Sequence, residues 1–180
     1  MNTTTVVIIV VAILIIVAAI VWLLVRKRRS EHLRAQFGAE YDHTVRQLGS
    51  QAKAEDALVA RQKLVESIPI HPLTPQARDR FANRWHDVQA RFVDDPAGSI
   101  RDADALVNEA MQARGYPMGE FEQRAAELSV NHAKVVQNYR AAHTIAIRKD
   151  RGEATTEDLR HALVYYRDLF EELLELHGVR

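Results

Sequence analysis

The sequence predicts an all-α protein with one N-terminal transmembrane helix followed by an irregular cytoplasmic helical bundle. The first observation behind this prediction is an uncharged apolar run from Val6 to Val25, which contains no Pro and no Gly. A helix of that length rises about 30 Å, which is the thickness of a bilayer's hydrocarbon core. The second observation is that apolar residues in the rest of the chain recur at spacings of three and four, which is typical of helices.

The residues that flank the apolar run predict its topology. Residues 1–5 carry no charged side chain and form a short extracytoplasmic tail, whereas Arg26, Lys27, Arg28 and Arg29 follow the run directly. We name these four cations the basic collar. A cleaved signal peptide would need positive charge before the run and a small-residue cleavage site after it, and both are missing. The positive-inside rule therefore predicts an N-terminus outside and residues 26–180 in the cytoplasm.

Charge and composition narrow the range of functions. The chain balances 24 Lys and Arg against 24 Asp and Glu, but residues 31–180 carry 20 cations against 24 anions. A mildly acidic domain is poorly suited to nucleic acid, because phosphate contacts need a basic face. The chain has no Cys, so disulfides, thiolate metal sites and Cys nucleophiles are excluded. Membrane lipids remain partners through the anchor, and each collar cation adds about 1 kcal/mol of attraction to anionic headgroups.

Residues 26–67 are predicted to form the basic collar and a juxtamembrane helix or stalk. An apolar stripe passes through this segment, and Gly38 and Gly49 interrupt it only weakly. The sequence leaves open whether residues 31–67 form one continuous helix. Two prolines, Pro69 and Pro72, then break the helical pattern before the bundle, which we place at residues 74–178.

Helix starts in the bundle are indicated by capping residues. Thr74 precedes Pro75, Asp95 precedes Pro96, and Thr155-x-x-Asp158 resembles a capping box. Asn131 is predicted to cap a further helix. In all, we expect about four to six helices in an irregular bundle.

The heaviest aromatic stripe predicts the centre of the core. Phe81, Trp85, Val88 and Phe92 follow one another at spacings of four, three and four. A stripe of this kind is usually core, but Trp85 and Tyr116, the latter in the turn Gly115-Tyr116-Pro117, are also the candidates for a ligand pocket or a contact surface.

No catalytic or cofactor-binding motif is present in the sequence, since it has no glycine-rich phosphate loop and no nucleophile elbow. Two acid-x-x-His pairs, Glu40 with His43 and Asp158 with His161, have the spacing that ligates metals in ferritin-like bundles. Such a site also needs acids from two other helices. We therefore interpret both pairs as solvated helix faces, and predict no metal ligand, no cofactor and no catalytic residue.

Five short motifs stand out along the domain: Arg91-Phe92-Val93-Asp94-Asp95-Pro96, Gly115-Tyr116-Pro117, Leu128-Ser129-Val130, Tyr139-Arg140-Ala141-Ala142-His143 and Thr155-Thr156-Glu157-Asp158-Leu159-Arg160-His161-Ala162. Together they resemble a group of bacterial proteins that have one N-terminal membrane helix, a helical domain behind it and no assigned activity. The resemblance covers most of residues 31–175 and implies a location in the bacterial inner membrane.

These observations together favour a non-enzymatic scaffold or adaptor, anchored at the cytoplasmic face of the inner membrane and contacting a protein partner or a second copy of itself. The alternative is a bundle that binds a lipid or small molecule in a pocket formed by Phe81, Trp85, Phe92 and Tyr116. A metal-dependent enzyme of ferritin-like type, using the two acid-x-x-His pairs, is the third hypothesis.

Overall fold

The computed structural model describes the backbone of residues 3–175 and the side chains of residues 11–175. The described residues form eight helices and no strand, which confirms the predicted all-α class. The helices are α1 (Thr3–Phe37), α2 (Ala39–Leu48), α3 (Gln51–Glu66), α4 (Pro75–Arg91), α5 (Pro96–Ala113), α6 (Phe121–Asn131), α7 (Ala133–Asp150) and α8 (Thr156–Leu173).

Gly38 and Gly49 separate three helices, so residues 31–67 do not form a continuous stalk. Gly38 (φ +51°) ends α1, and α2 then runs back along it. Gly49 (φ +65°) adopts the left-handed conformation that ends α2, and its amide donates to the carbonyl of Val45. This conformation is unfavourable for residues with a Cβ, so the glycine stops the helix where the apolar pattern alone would continue it.

Helix α3 runs in the same direction as α1. Arg29 pairs with Asp56 near the start of α3, with 2.7 Å between Nη2 and Oδ1. Seven residues further along α1, Gln36 lines one depression together with Gln62 and Glu66 from the other end of α3. The two helices are therefore parallel, and α2 lies antiparallel to both.

The protein has two apolar cores. A small core joins the first three helices through Leu33, Phe37, Tyr41 and Leu58, and Val130 at the end of α6 packs against it. The larger core belongs to α4–α8, where α8 packs on α5 and α7. Its fully buried aromatic side chains are Tyr139, Tyr166 and Phe170. The centre of this core is consequently α8, and the predicted aromatic stripe on α4 covers one side of it.

Three of the predicted helix starts are confirmed, and one is wrong. Thr74 accepts a hydrogen bond from the amide of Ala77, Asp95 accepts one from the amide of Gly98, and Thr155 forms the capping box with Asp158. Asn131 does not cap α7, because α6 continues through it. The residue between α6 and α7 is His132, whose side chain makes no cap hydrogen bond.

Gly115 lies in the turn that follows α5. Its φ of +91° is left-handed, and a Cβ at this position would lie 2.9 Å from the carbonyl oxygen of Pro69. The amide of His71 donates to the carbonyl of Arg114 in the same region. The Pro-containing connection between α3 and α4 is therefore held closely against the end of α5.

Among the residues with described side chains, no helix is both long enough and apolar enough to cross a membrane. The first part of the predicted span, Val6 to Val10, lies outside those residues, as do the predicted tail at residues 1–5 and the last residues of the predicted bundle domain, 176–178.

Candidate functional site

The apolar part of α1 is uncovered by the rest of the protein. Every residue from 11 to 29 is exposed, and the large apolar side chains from Val11 to Val25 expose between 48 % and 64 % of their surface. Because consecutive residues of a helix point in different directions, this segment presents apolar surface on all sides. Soluble monomers rarely expose an apolar surface of that extent, so the segment marks a contact with lipid or protein.

The basic collar lies on exposed helix directly after this segment. The guanidinium of Arg26 lies 5.4 Å from the centre of the Trp22 ring, which is a cation–π contact. Arg29 pairs with Asp56 of α3, and Lys27 lies 3.9 Å from Glu31. The collar therefore already contacts the folded domain through Arg29, while its side chains stay accessible to solvent or to lipid headgroups.

A buried carboxylate joins α1, α2 and α3 just beyond the collar. Glu55 of α3 is 3 % exposed, and its Oε1 accepts hydrogen bonds from three side chains. The donors are the Ser30 hydroxyl from α1, the Tyr41 hydroxyl from α2 at 2.8 Å and the Gln51 amide at 2.9 Å. The end of α1 is therefore fixed to the next two helices by polar contacts as well as by the small core.

The hydrogen bonds to Glu55 also change its ionisation. Burial raises the pKa of this carboxyl, but the hydrogen bonds from Ser30, Gln51 and Tyr41, with the charge of Arg29, together outweigh burial and lower the pKa. Glu55 is therefore an anion at neutral pH, and it holds its three donors as a charged acceptor. Charge-assisted hydrogen bonds of this kind are stronger than neutral ones.

A second buried carboxylate joins the N-terminal helices to the bundle. Glu40 of α2 is fully buried, and its two oxygens contact Arg140 of α7 at 3.0 and 3.3 Å. Arg61 of α3 lies 3.4 Å from one oxygen, and the amide of Gln137 donates to the other at 3.2 Å. We name Glu40, Arg61, Gln137 and Arg140 the Glu40 cluster. It brings together residues that are up to 100 positions apart in the sequence.

The pKa values of the two guanidiniums in the Glu40 cluster shift in opposite directions. Burial lowers the pKa of both side chains. At Arg140 the contacts with Glu40 and Glu122 outweigh burial and raise the pKa, whereas at Arg61 burial prevails over the attraction of Glu40 and the pKa is lowered. Because arginine's ordinary pKa lies far above neutrality, both side chains remain charged under physiological conditions.

The two candidate pocket residues lie in separate places. Trp85 is buried, and its ring stacks on that of Phe170 with 4.8 Å between centroids. Phe81 meets the same Phe170 ring edge-on. Tyr116 is also buried, but its hydroxyl lies 3.1 Å from Nε2 of His132. Trp85 is thus part of the core packing, and Tyr116 belongs to a different polar group.

That polar group lies behind an open cleft. His132 contacts Tyr116 through Nε2 and Glu172 through Nδ1, at 3.1 and 3.3 Å. Burial lowers the pKa of His132 and outweighs the opposing effect of Glu172, so the imidazole is neutral near pH 7. The cleft beside it has a volume of about 800 Å³ and lies between the α1–α2 junction, the α6–α7 junction and α8. Its polar lining residues are Gln36, Asn131, His132, Lys134, Gln137 and Glu172.

The carboxylates of both acid-x-x-His pairs have structural partners. Glu40 is enclosed by the Glu40 cluster, and Asp158 accepts from Thr155 in the capping box and contacts Arg148. His161 contacts Glu157 on its own helix rather than a second helix. In the part of the chain with described side chains, no group of three or more His, Asp or Glu residues is arranged to hold a metal ion.

Sequence reasoning missed Glu55, Arg61, His132 and Arg140, and it interpreted Glu40 as a solvated residue. One signal was available for Glu55, which lies three residues before the buried Leu58 and so shares the apolar face of α3. Glu40 likewise precedes the buried Tyr41. Nothing near Glu40 in the sequence indicates its partners, which come from α3 and α7.

Comparison of the chain with protein-family models, with curated proteins and with solved structures finds no match.

Replacing Glu40 with alanine tests the Glu40 cluster. Glu40→Ala should lower the free energy of unfolding by about 3–5 kcal/mol, because it removes the buried anion that faces two half-buried guanidiniums, of which only Arg140 keeps another carboxylate, that of Glu122. The measurement is chemical denaturation of the full chain in detergent micelles, followed by far-ultraviolet circular dichroism. Asp42→Ala removes an exposed carboxylate from the same helix and should cost no more than about 1 kcal/mol. Equal losses for the two variants would contradict a structural role for the cluster.

Proposed function

We propose that the chain is a non-enzymatic helical scaffold or adaptor, anchored by α1 at the cytoplasmic face of a bacterial inner membrane. One observation carries this proposal. Helix α1 is uncovered on all sides from Val11 to Val25, and it continues without interruption to Leu33 and Phe37, which are buried in the small core. A single helix thus joins an apolar segment to the folded domain.

The chemistry of the uncovered segment supports lipid as its surroundings. A helix satisfies all its internal backbone hydrogen bonds, and this allows it to enter hydrocarbon. The sequence extends the same uncharged composition back to Val6. Trp22 and the basic collar follow at one end, where an aromatic side chain and cations favour the interface and the cytoplasmic side.

The polar contacts of the domain support a positioning role. The buried carboxylates of Glu40 and Glu55 are fully engaged in fixing helices to one another. Glu55 also fixes the domain to the end of α1 through Ser30, so the faces of the domain have a defined direction relative to the proposed anchor. The resemblance of the bundle's motifs to bacterial membrane-anchored helical proteins supports the same location.

The anchor and its orientation are tested in bacteria that express the chain with a C-terminal tag. The tag should remain in the membrane pellet after carbonate extraction, because a spanning helix stays in lipid when peripheral contacts are removed. In spheroplasts the tag should resist added protease and become sensitive only after lysis. Digestion from outside would contradict the orientation, and release by carbonate would contradict the anchor.

The scaffold role is tested by affinity capture from gently solubilised membranes. We expect a stoichiometric protein partner or a homo-oligomer, because an anchored domain without chemistry of its own must act through contacts. A matched chain whose residues 6–25 are replaced by an unrelated membrane helix should recover the same complex. A strictly monomeric chain without an enriched partner would contradict the role.

A small-molecule-binding bundle is the second candidate, and the cleft beside His132 is the observation that favours it. Its volume of about 800 Å³ falls in the usual range for ligand sites, and it combines apolar walls with amide, imidazole, ammonium and carboxylate groups. This site replaces the pocket predicted at Trp85, where Phe170 stacks on the indole.

The cleft is tested by mass spectrometry of small molecules that copurify with the full chain. Ala133→Trp places a large side chain in the cleft lining and should remove a bound molecule. Ala60→Trp makes the same change on an exposed position of α3 and should leave that molecule bound. The absence of any molecule that copurifies with the unaltered chain would contradict a ligand-binding role. Equal retention of a molecule by both variants would show that it does not bind in the cleft.

A further inference from the structure

We propose that the turn between α2 and α3, residues 47–52, is a second membrane contact that lies in the headgroup layer of an anionic bilayer. The proposal rests on the proposed anchor and adds which surface of the domain faces the lipid. We name residues 47–52 the α2–α3 turn.

The first step is the height of the turn along α1. From Gly38, α2 returns for ten residues, or about 15 Å, which brings Leu48 level with the basic collar. The contacts of α3 agree. The Gln51 amide donates to the Ser30 hydroxyl at 2.7 Å, and Ala52 lines one depression with Trp22 and Val25. The α2–α3 turn therefore lies beside the last turn of the apolar segment and the start of the collar.

The second step is the composition of the turn. Its sequence is Gln-Leu-Gly-Ser-Gln-Ala, which contains no charged side chain. Leu48, at the tip of the turn, is 41 % exposed. A short uncharged loop with one exposed leucine can enter the headgroup layer without placing an ion in hydrocarbon.

The third step is the charge around the turn. Arg46 precedes it and Lys53 follows it, and both residues are exposed. With the basic collar, they place six cations at one level. Three acids lie near this level, half as many as the cations. Asp56 is paired with Arg29, Glu31 lies 3.9 Å from Lys27, and Glu55 is buried with its hydrogen-bond donors. The surface that faces the lipid is thus cationic, although residues 31–180 as a whole are acidic, and it complements anionic headgroups.

The opposite end of the same helix pair provides a matched control. Leu64 of α3 is 50 % exposed, so its side chain resembles that of Leu48 in size and accessibility. It lies 13 residues beyond the start of α3, which is about 20 Å farther from the collar. Lys63, which is next to Leu64, is likewise the control for Lys53.

The experiment uses the absence of cysteine from the chain. Leu48→Cys and Leu64→Cys each create one site for an NBD fluorophore in the full chain, which is reconstituted into vesicles of phosphatidylcholine with phosphatidylglycerol. We expect a blue-shifted emission at position 48 that lipids with a headgroup nitroxide quench, and a water-like, unquenched emission at position 64. Adding Lys53→Glu should reduce the quenching at position 48, whereas Lys63→Glu should leave it unchanged.

Flotation of the same vesicles separates the two proposals. If the chain does not float with the vesicles, the anchor is wrong. If it floats and position 48 is as unquenched as position 64, the anchor stands and the second contact is wrong. A blue shift at position 48 without quenching by lipid would mean that protein, such as a second copy, covers the turn, and it would also overturn the contact.

Discussion

A fully buried carboxylate has to be matched by positive charge, and at Glu40 this requirement governs how the two halves of the protein meet. Removing an anion from water costs several kcal/mol unless cations and hydrogen-bond donors surround it. Arg140 and Gln137 come from α7 and Arg61 comes from α3, so the anion is satisfied only when all three helices are in place. The N-terminal helices and the bundle consequently have one favourable arrangement, and apolar contacts alone would define it less sharply.

Helix α1 passes through two environments without a break in its backbone. From Val11 to the basic collar its side chains are exposed in every direction, and beyond Ser30 it has an ordinary amphipathic face that buries Leu33 and Phe37. Glu55 marks the change, since it accepts from Ser30 at the first point where α1 meets its neighbours. The folded domain therefore begins within about one helical turn of the collar, and no linker separates them.

Local signals in the sequence predicted the local features of the structure. The all-α class and the caps at Thr74, Asp95 and Thr155 follow from residues within one or two turns of each other, and the structure confirms them. The transmembrane assignment of the apolar run remains a prediction. The start of α7 was misplaced because Asn131, a good cap by type, is the last residue of α6.

The candidate site was predicted less well because its contacts are long-range. Glu40 was correctly noticed but was paired with His43, one turn away, whereas its actual partners are Arg61 and Arg140. No local pattern distinguishes a carboxylate that faces water from one that faces two guanidiniums of distant helices. Trp85 shows the converse case, since its helical spacing predicted burial and the ring stacks on Phe170.

The unbroken course of α1 into the small core has a mechanical consequence. A helix advances about 1.5 Å and turns about 100° per residue, so the angular position of the bundle around the exposed apolar segment is set by the number of residues between them. One added residue in the collar would rotate the bundle by about 100° relative to that segment, while seven would nearly restore the original orientation. Helix α1 thus fixes the rotation of the bundle relative to the exposed segment as well as its distance from it.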